Sequence, residues 1–146
     1  MTRAGCYLAV VAIVVTAAGC DEKLSDIAGP TRDLEPRFSS IQQHIFNAPD
    51  SAGRPACISC HNAERLSGTM NLLEGNAYAA LVNRPSSRKP GAIRVIPNDP
   101  DASYLIQKLE GSPDIMGDRM PQRGPFLTPG QIQIIRRWIE VGAPNN

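Results

Sequence analysis

The chain has 146 residues, with 15 Lys+Arg against 14 Asp+Glu. That is one domain's length, and the near balance of charge argues against a strongly basic nucleic-acid binder. No long apolar run follows residue 20, which excludes a polytopic membrane protein, and all 13 prolines lie beyond that point. What remains reads as a small, loop-rich domain with a thin core and no room for a large catalytic interior. Domains of this kind need a staple: disulfides, a metal or a cofactor.

Residues 1–20 read MTRAGCYLAVVAIVVTAAGC. Arg3 supplies a short positive start, Tyr7–Ala18 an apolar stretch, and Ala17-Ala18-Gly19 a small-residue end, the pattern of a secretory signal peptide over 1–19. An uncleaved anchor is the rival, at the lower limit of a membrane-spanning length. The ending resembles a bacterial lipobox, which implies a lipid-bearing Cys20; Ala17 departs from the Leu usual in that motif. Residues 20–37, charged and interrupted by Pro30 and Pro36, read as a flexible tether, and 38–146 as the folded domain. With Arg3 removed, 14 basic residues face 14 acidic ones.

Four cysteines occur, at 6, 20, 57 and 60. Cys6 leaves with the signal peptide and Cys20 is the candidate for acylation. Cys57-Ile58-Ser59-Cys60-His61 is a C-x-x-C-H motif, the attachment signature of c-type haem. Two sulfurs three residues apart on a helical turn point the same way and reach both vinyl-derived carbons of one porphyrin. His61 then reaches the iron from the same side. The rivals are a Cys57–Cys60 disulfide, a thioredoxin-type pair lacking its βαβ context, and a zinc site lacking a second ligand pair.

In chain order, Phe38–Asn47 carries a helical stripe through Phe38, Ile41 and Ile45 that stops before Pro49. Pro55 opens a short helix bearing the C-x-x-C-H. Gly75–Val82 reads as a helix with Tyr78, Leu81 and Val82 inward, and 85–100 as a proline-rich loop with a short extended run at Ile93–Ile96. Asp99 and Pro100 read as N-cap and first residue of the next helix, with Tyr104, Leu105 and Leu109 on one side and Gly111 at its end. After the irregular 112–127, Thr128-Pro129-Gly130-Gln131 is a capping box. It opens a helix over Pro129–Val141, with Ile132, Ile135, Ile139 and Trp138 inward.

A haem domain needs a sixth iron ligand or an open site. Met70, Met116, Met120 and His44 are the candidates. Met120, followed by Pro121 in a stiff irregular segment, is preferred; Met116 is its chief rival, and His44 on the first helix reads as an ordinary surface or core residue.

The segments FSSIQQHIFNAPDSAGRPACISCHN, IPNDPDASYLIQKLEG and DRMPQRGPFLTPGQIQIIRRWIEVGAP together resemble the small monohaem class I c-type cytochromes of environmental bacteria. The resemblance implies an all-α, cytochrome c-like bundle of about four to five short helices around one covalent haem c. It implies thioethers at Cys57 and Cys60, His61 as proximal and Met120 as distal iron ligand, and a first and last helix that cross near Phe46 and Trp138. The stretch Asp50–Arg54 departs from the family pattern, and 75–100 matches it weakly.

Leu72, Tyr78, Leu105, Leu109, Leu127, Ile132 and Ile135 are the apolar candidates for a haem pocket. Arg119, Arg123, Arg136 and Arg137 are candidates for haem propionates or an acidic redox partner. The expected function is extracytoplasmic electron transfer by a carrier that is no enzyme and has no small-molecule substrate. It would sit on the periplasmic side of a bacterial membrane, tethered through Cys20 and meeting redox partner proteins, with no nucleic-acid partner. Two alternatives stay open: a five-coordinate or bis-His haem sensor or peroxidase-like protein, and a haem-free lipoprotein interaction module with a Cys57–Cys60 disulfide.

Overall fold

The computed structural model describes residues 33–49 and 52–146. The expected signal peptide, Cys20 and most of the expected tether lie outside them. Among the described residues the chain is helix-dominated and has no strand. No helix there is long and apolar enough to cross a membrane.

The first helix, α1, spans Phe38–Ile41 and runs directly into a π-helical turn, Gln42–Phe46, so the predicted stretch is helical but ends in a wider turn. Asn47 N–H closes that turn on the Gln42 carbonyl at 2.9 Å. Gln42 is buried, and its Nε2 donates to Leu72 O at 2.8 Å and Asn47 Oδ1 at 2.7 Å. The folded unit starts before residue 38. Leu34 packs against the core, Ser40 Oγ accepts from Glu35 N–H at 2.9 Å, and Phe38 and Ser39 N–H donate to Asn146. Residues 33–37, assigned to the tether from sequence, are therefore docked.

Helix α2 is Ala77–Leu81, shorter than the predicted Gly75–Val82. Gly75 sits at φ +80° and Val82 is extended, pairing with Val95, so neither continues the helix. Residues 83–99 form a looped ladder rather than a sheet, with isolated pairings Pro85–Ile93 and Ile96–Asp99. Helix α3 is Tyr104–Glu110 and starts later than Asp99-Pro100 suggested. Asp99 instead caps a turn, its carboxylate accepting from Ala102 N–H at 3.0 Å. The buried Ser103 takes the N-cap position, but its Oγ serves the ladder: it accepts from Ile96 N–H at 2.8 Å and donates to Asp99 O at 2.7 Å. The free N–H groups at the start of α3 are met from outside the helix, Tyr104 N–H by Ile93 O and Leu105 N–H by Arg94 O, both at 2.9 Å. Gly111 ends α3 in the left-handed conformation, φ +76°, as predicted.

Helix α4, Pro129–Glu140, carries the predicted capping box: Thr128 Oγ1 accepts from Gln131 N–H and Gln131 Oε1 accepts from Thr128 N–H. Ile135, Trp138 and Ile139 are fully buried and meet Ile41, Ile45, Leu81 and Ile106 in one core. The aromatic contact between the first and last helices is made by Phe38, whose ring lies 5.4 Å from Trp138. Phe38 also meets Tyr78 edge-on at 5.3 Å and Phe46 at 6.4 Å. Phe46 was expected at that contact, but Phe38 is its hub.

Candidate functional site

The C-x-x-C-H motif forms a 3₁₀ turn, Cys57–Ser59, that closes with Cys60 N–H on Cys57 O at 3.2 Å and His61 N–H on the same oxygen at 3.0 Å. Cys57 opens that turn and Cys60 is its C-cap. The two thiols are not joined to each other. Burial pushes the Cys57 thiol pKa up, partly opposed by the Arg54 guanidinium beside it.

Arg54 comes from the stretch that departed from the family pattern, and it is completely buried. In a continuing α-helix the Ile45 carbonyl would accept from residue 49, but that residue is Pro49 and has no N–H. Arg54 Nη1 donates to Ile45 O at 3.1 Å instead, with Pro55 O at 3.3 Å, while Nη2 donates to Ala48 O at 3.2 Å. The same Nη1 lies 3.8 Å from Cys57 Sγ. One side chain thus fastens the end of the π turn to the C-x-x-C-H turn.

His61 Nδ1 lies 2.7 Å from the Ser67 carbonyl oxygen. A carbonyl only accepts, so Nδ1 carries the proton and Nε2 keeps its lone pair. Burial lowers the His61 pKa, more than the Ser67 bond raises it, which favours the neutral ring. A neutral imidazole with one nitrogen fixed by a backbone carbonyl is the form in which histidine binds a metal.

Cys57 and His61 line a cavity of about 560 Å³ that also takes in Met70, Leu72, Leu105, Leu109, Met116 and Met120. Its walls come from the π turn (Ile45, Phe46), the C-x-x-C-H turn, α3 and the 116–122 segment. That volume falls in the ordinary range for small-molecule and cofactor sites. Met120 and Met116 differ in how they are held. Met120 packs against the core, and its N–H donates to Lys108 O at 2.9 Å. Met116 is 56% exposed. The segment is pinned to α3 further by Met116 N–H on Tyr104 Oη at 2.9 Å and by Lys108 Nζ on the carbonyls of Met116 and Asp118.

Not every sequence candidate comes to the cavity. Cys60 is half-buried and outside its lining, and so is His44, within the π turn. Tyr78 belongs to the aromatic cluster, its hydroxyl donating to Ala143 O at 3.0 Å, and Leu127, Ile132 and Ile135 face the protein core. The four arginines expected to meet an anion lie elsewhere. Arg136 pairs with Asp101 and Glu110. Arg119 donates to Leu109 O at 2.7 Å and stacks on Phe126, and Arg123 and Arg137 are exposed. The cations on the wall are Arg88, Arg94 and Lys108, which the sequence did not single out. Among the described residues no cluster of three or more His, Cys, Asp or Glu side chains is arranged to hold a bare metal ion. The chain matches no family model, no curated protein and no solved structure.

Proposed function

We propose that the protein is a monohaem c-type cytochrome that carries single electrons, with a cytochrome c-like helical fold. The observation that carries this reading is the joint placement of Cys57, His61 and Met120 on one apolar cavity, with the His61 ring fixed through Nδ1. The residues on the cavity suit a haem: the Cys57 thiol, a neutral imidazole, a thioether, apolar walls and a cationic flank, with Cys60, outside the lining, on the same turn as Cys57. Cys57 and Cys60 would hold it covalently, His61 and Met120 would ligate its iron, and the cations on the wall would favour its carboxylates. The group supplies the one-electron couple.

The chain's own residues do the rest. The Ser67 carbonyl keeps the His61 ring oriented and raises its basicity as a ligand. The Lys108 carbonyl and the α3 contacts hold the Met120 segment in place. The soft Met120 thioether would favour the reduced metal, as suits an electron carrier. Leu72, Leu105 and Leu109 keep water from the buried face.

Optical spectra of the exported protein test the ligand assignment. Met120→Ala should abolish the ferric sulfur-to-iron charge-transfer band, and Met116→Ala should keep it. Survival of the band in Met120→Ala refutes Met120. Ready carbon monoxide binding by the reduced wild type at neutral pH would favour the open-site sensor instead. Export and lipid anchoring belong to the same proposal: Cys20→Ala should move the protein from the membrane to the soluble periplasmic fraction.

A further inference from the structure

The Ser67 carbonyl that orients His61 sits in a backbone segment that has little reason to stay where it is. Leu66, Gly68 and Thr69 have φ of 42°, 65° and 52°, so two of the three residues held left-handed carry a side chain that disfavours it. Strain of this kind persists only where the surroundings over-determine the conformation. The local bonds are Leu66 N–H to Asn62 O at 3.0 Å, Ser67 N–H to Cys60 O at 3.3 Å, Thr69 N–H to Leu66 O at 2.7 Å and Thr69 Oγ1 to Gly68 O at 2.8 Å; none of them reaches outside residues 60–69.

The side-chain restraints from outside the segment come from residues 87 and 94. Arg94 Nη2 donates to Gly68 O at 2.9 Å and to Thr69 O and Oγ1 at 3.3 Å, while its Nη1 donates to Ala80 O, at the end of α2, at 2.7 Å. Ser87 Oγ donates to the same Gly68 oxygen at 2.7 Å. Arg94 is itself anchored: its N–H donates to Arg84 O at 2.8 Å and its carbonyl accepts from Leu105 N–H of α3.

We infer that Arg94, with Ser87, is a positioning clamp. It holds the 66–69 turn so that the Ser67 carbonyl stays on His61 Nδ1, and thereby sets the basicity of the His61 ring. The inference extends the haem reading, since the property it tunes there is the iron–imidazole bond. The planar fork suits the task, because its two ends serve Ala80 O and Gly68 O separately, which a point-charge ammonium does with less geometric control.

The test uses the full exported protein with Arg94→Lys, Arg94→Met and Ser87→Ala. Nitrogen NMR of the His61 ring reads the tautomer and the exchange of the Nδ1 proton, with or without iron. The clamp predicts a slowly exchanging Nδ1–H in the wild type and exchange faster by about tenfold or more in both Arg94 variants, the size of effect common for outer-shell partners. Ser87→Ala should fall between.

Arg94→Lys isolates the bond, because it keeps the charge near the metal. A looser Nδ1–H bond makes the ring a weaker donor to the ferric ion, so its reduction potential should rise. Arg94→Met adds the loss of a positive charge, which acts in the opposite direction, so it is read by exchange alone. If either Arg94 variant fails to fold, Ser87→Ala and the remaining variant decide. Exchange unchanged from wild type, even with a lowered unfolding midpoint, overturns the clamp and leaves Arg94 an ordinary scaffold residue. Absence of covalent haem from the wild type would refute the cytochrome reading, while the ring signals would still decide the clamp.

Discussion

At the scale of single residues, three predictions follow from local geometry. Burial lowers the His61 pKa below its ordinary 6.5. The unfolded chain therefore takes up a proton at a pH where the folded one resists it. The stability this contributes is fully present above pH 6.5 and is lost as the pH falls through the lower folded value. Coordination to a metal would act in the same direction, since the metal takes the neutral ring. The denaturant midpoint should fall between pH 7 and pH 5, and a rise would contradict the sign. Gly111→Ala places a methyl 2.7 Å from Arg119 Cδ at φ +76°. It should cost more than about 1 kcal/mol, because the left-handed backbone and the clash act together. Arg54→Met strips the donor from three carbonyls at once, of which the Ile45 oxygen is buried, and a buried acceptor that loses its donor costs about 1–3 kcal/mol. Urea titration should show it among the most damaging single changes. The C-x-x-C-H turn was readable in the sequence from its short spacing, and Met120 stood out because Pro121 follows it in a stiff segment. Arg54 and Arg94 were not, because their partners are backbone carbonyls, which leave no signature in sequence.

At the scale of elements, the helices that sequence places best are those with explicit end signals. Thr128-Pro129-Gly130-Gln131 fixes the start of α4 and Gly111 the end of α3, and both appear as read. Thr128→Ala should lower stability by about 0.5–2 kcal/mol through loss of the Gln131 bond, measurable as a shift in thermal midpoint. The misplaced start at Asp99 has a tertiary cause. The cap signal is real, but the ladder from Ile93 to Asp99 claims Ser103 and fills the first N–H groups of α3, so the helix starts at Tyr104. The π turn likewise depends on a neighbour, since Gln42 reaches Leu72 O and Arg54 reaches Ile45 O. Periodicity over 38–47 reports a helix and is blind to one extra residue in its last turn.

At the scale of the whole molecule, an apolar residue in a small domain can face either the protein core or the cavity, and sequence pattern does not distinguish them. Leu72, Leu105 and Leu109 line the cavity, whereas Tyr78, Leu127 and Ile132, chosen on the same grounds, complete the Phe38–Trp138 side. The helix-dominated class was legible; the division of its interior into two faces depends on three-dimensional packing. A cavity of about 560 Å³ is large for a domain this small, so a group held in it, as proposed, should contribute to folding as well as to function. The central claim is that this group is covalent haem on Cys57 and Cys60. The most direct test is the haem stain of the protein after denaturing electrophoresis, produced in a host with cytochrome c maturation machinery and compared with Cys57→Ser/Cys60→Ser. Haem should stay with the wild-type band and be absent from the double variant. A wild-type band without haem, carrying a Cys57–Cys60 disulfide, would contradict it.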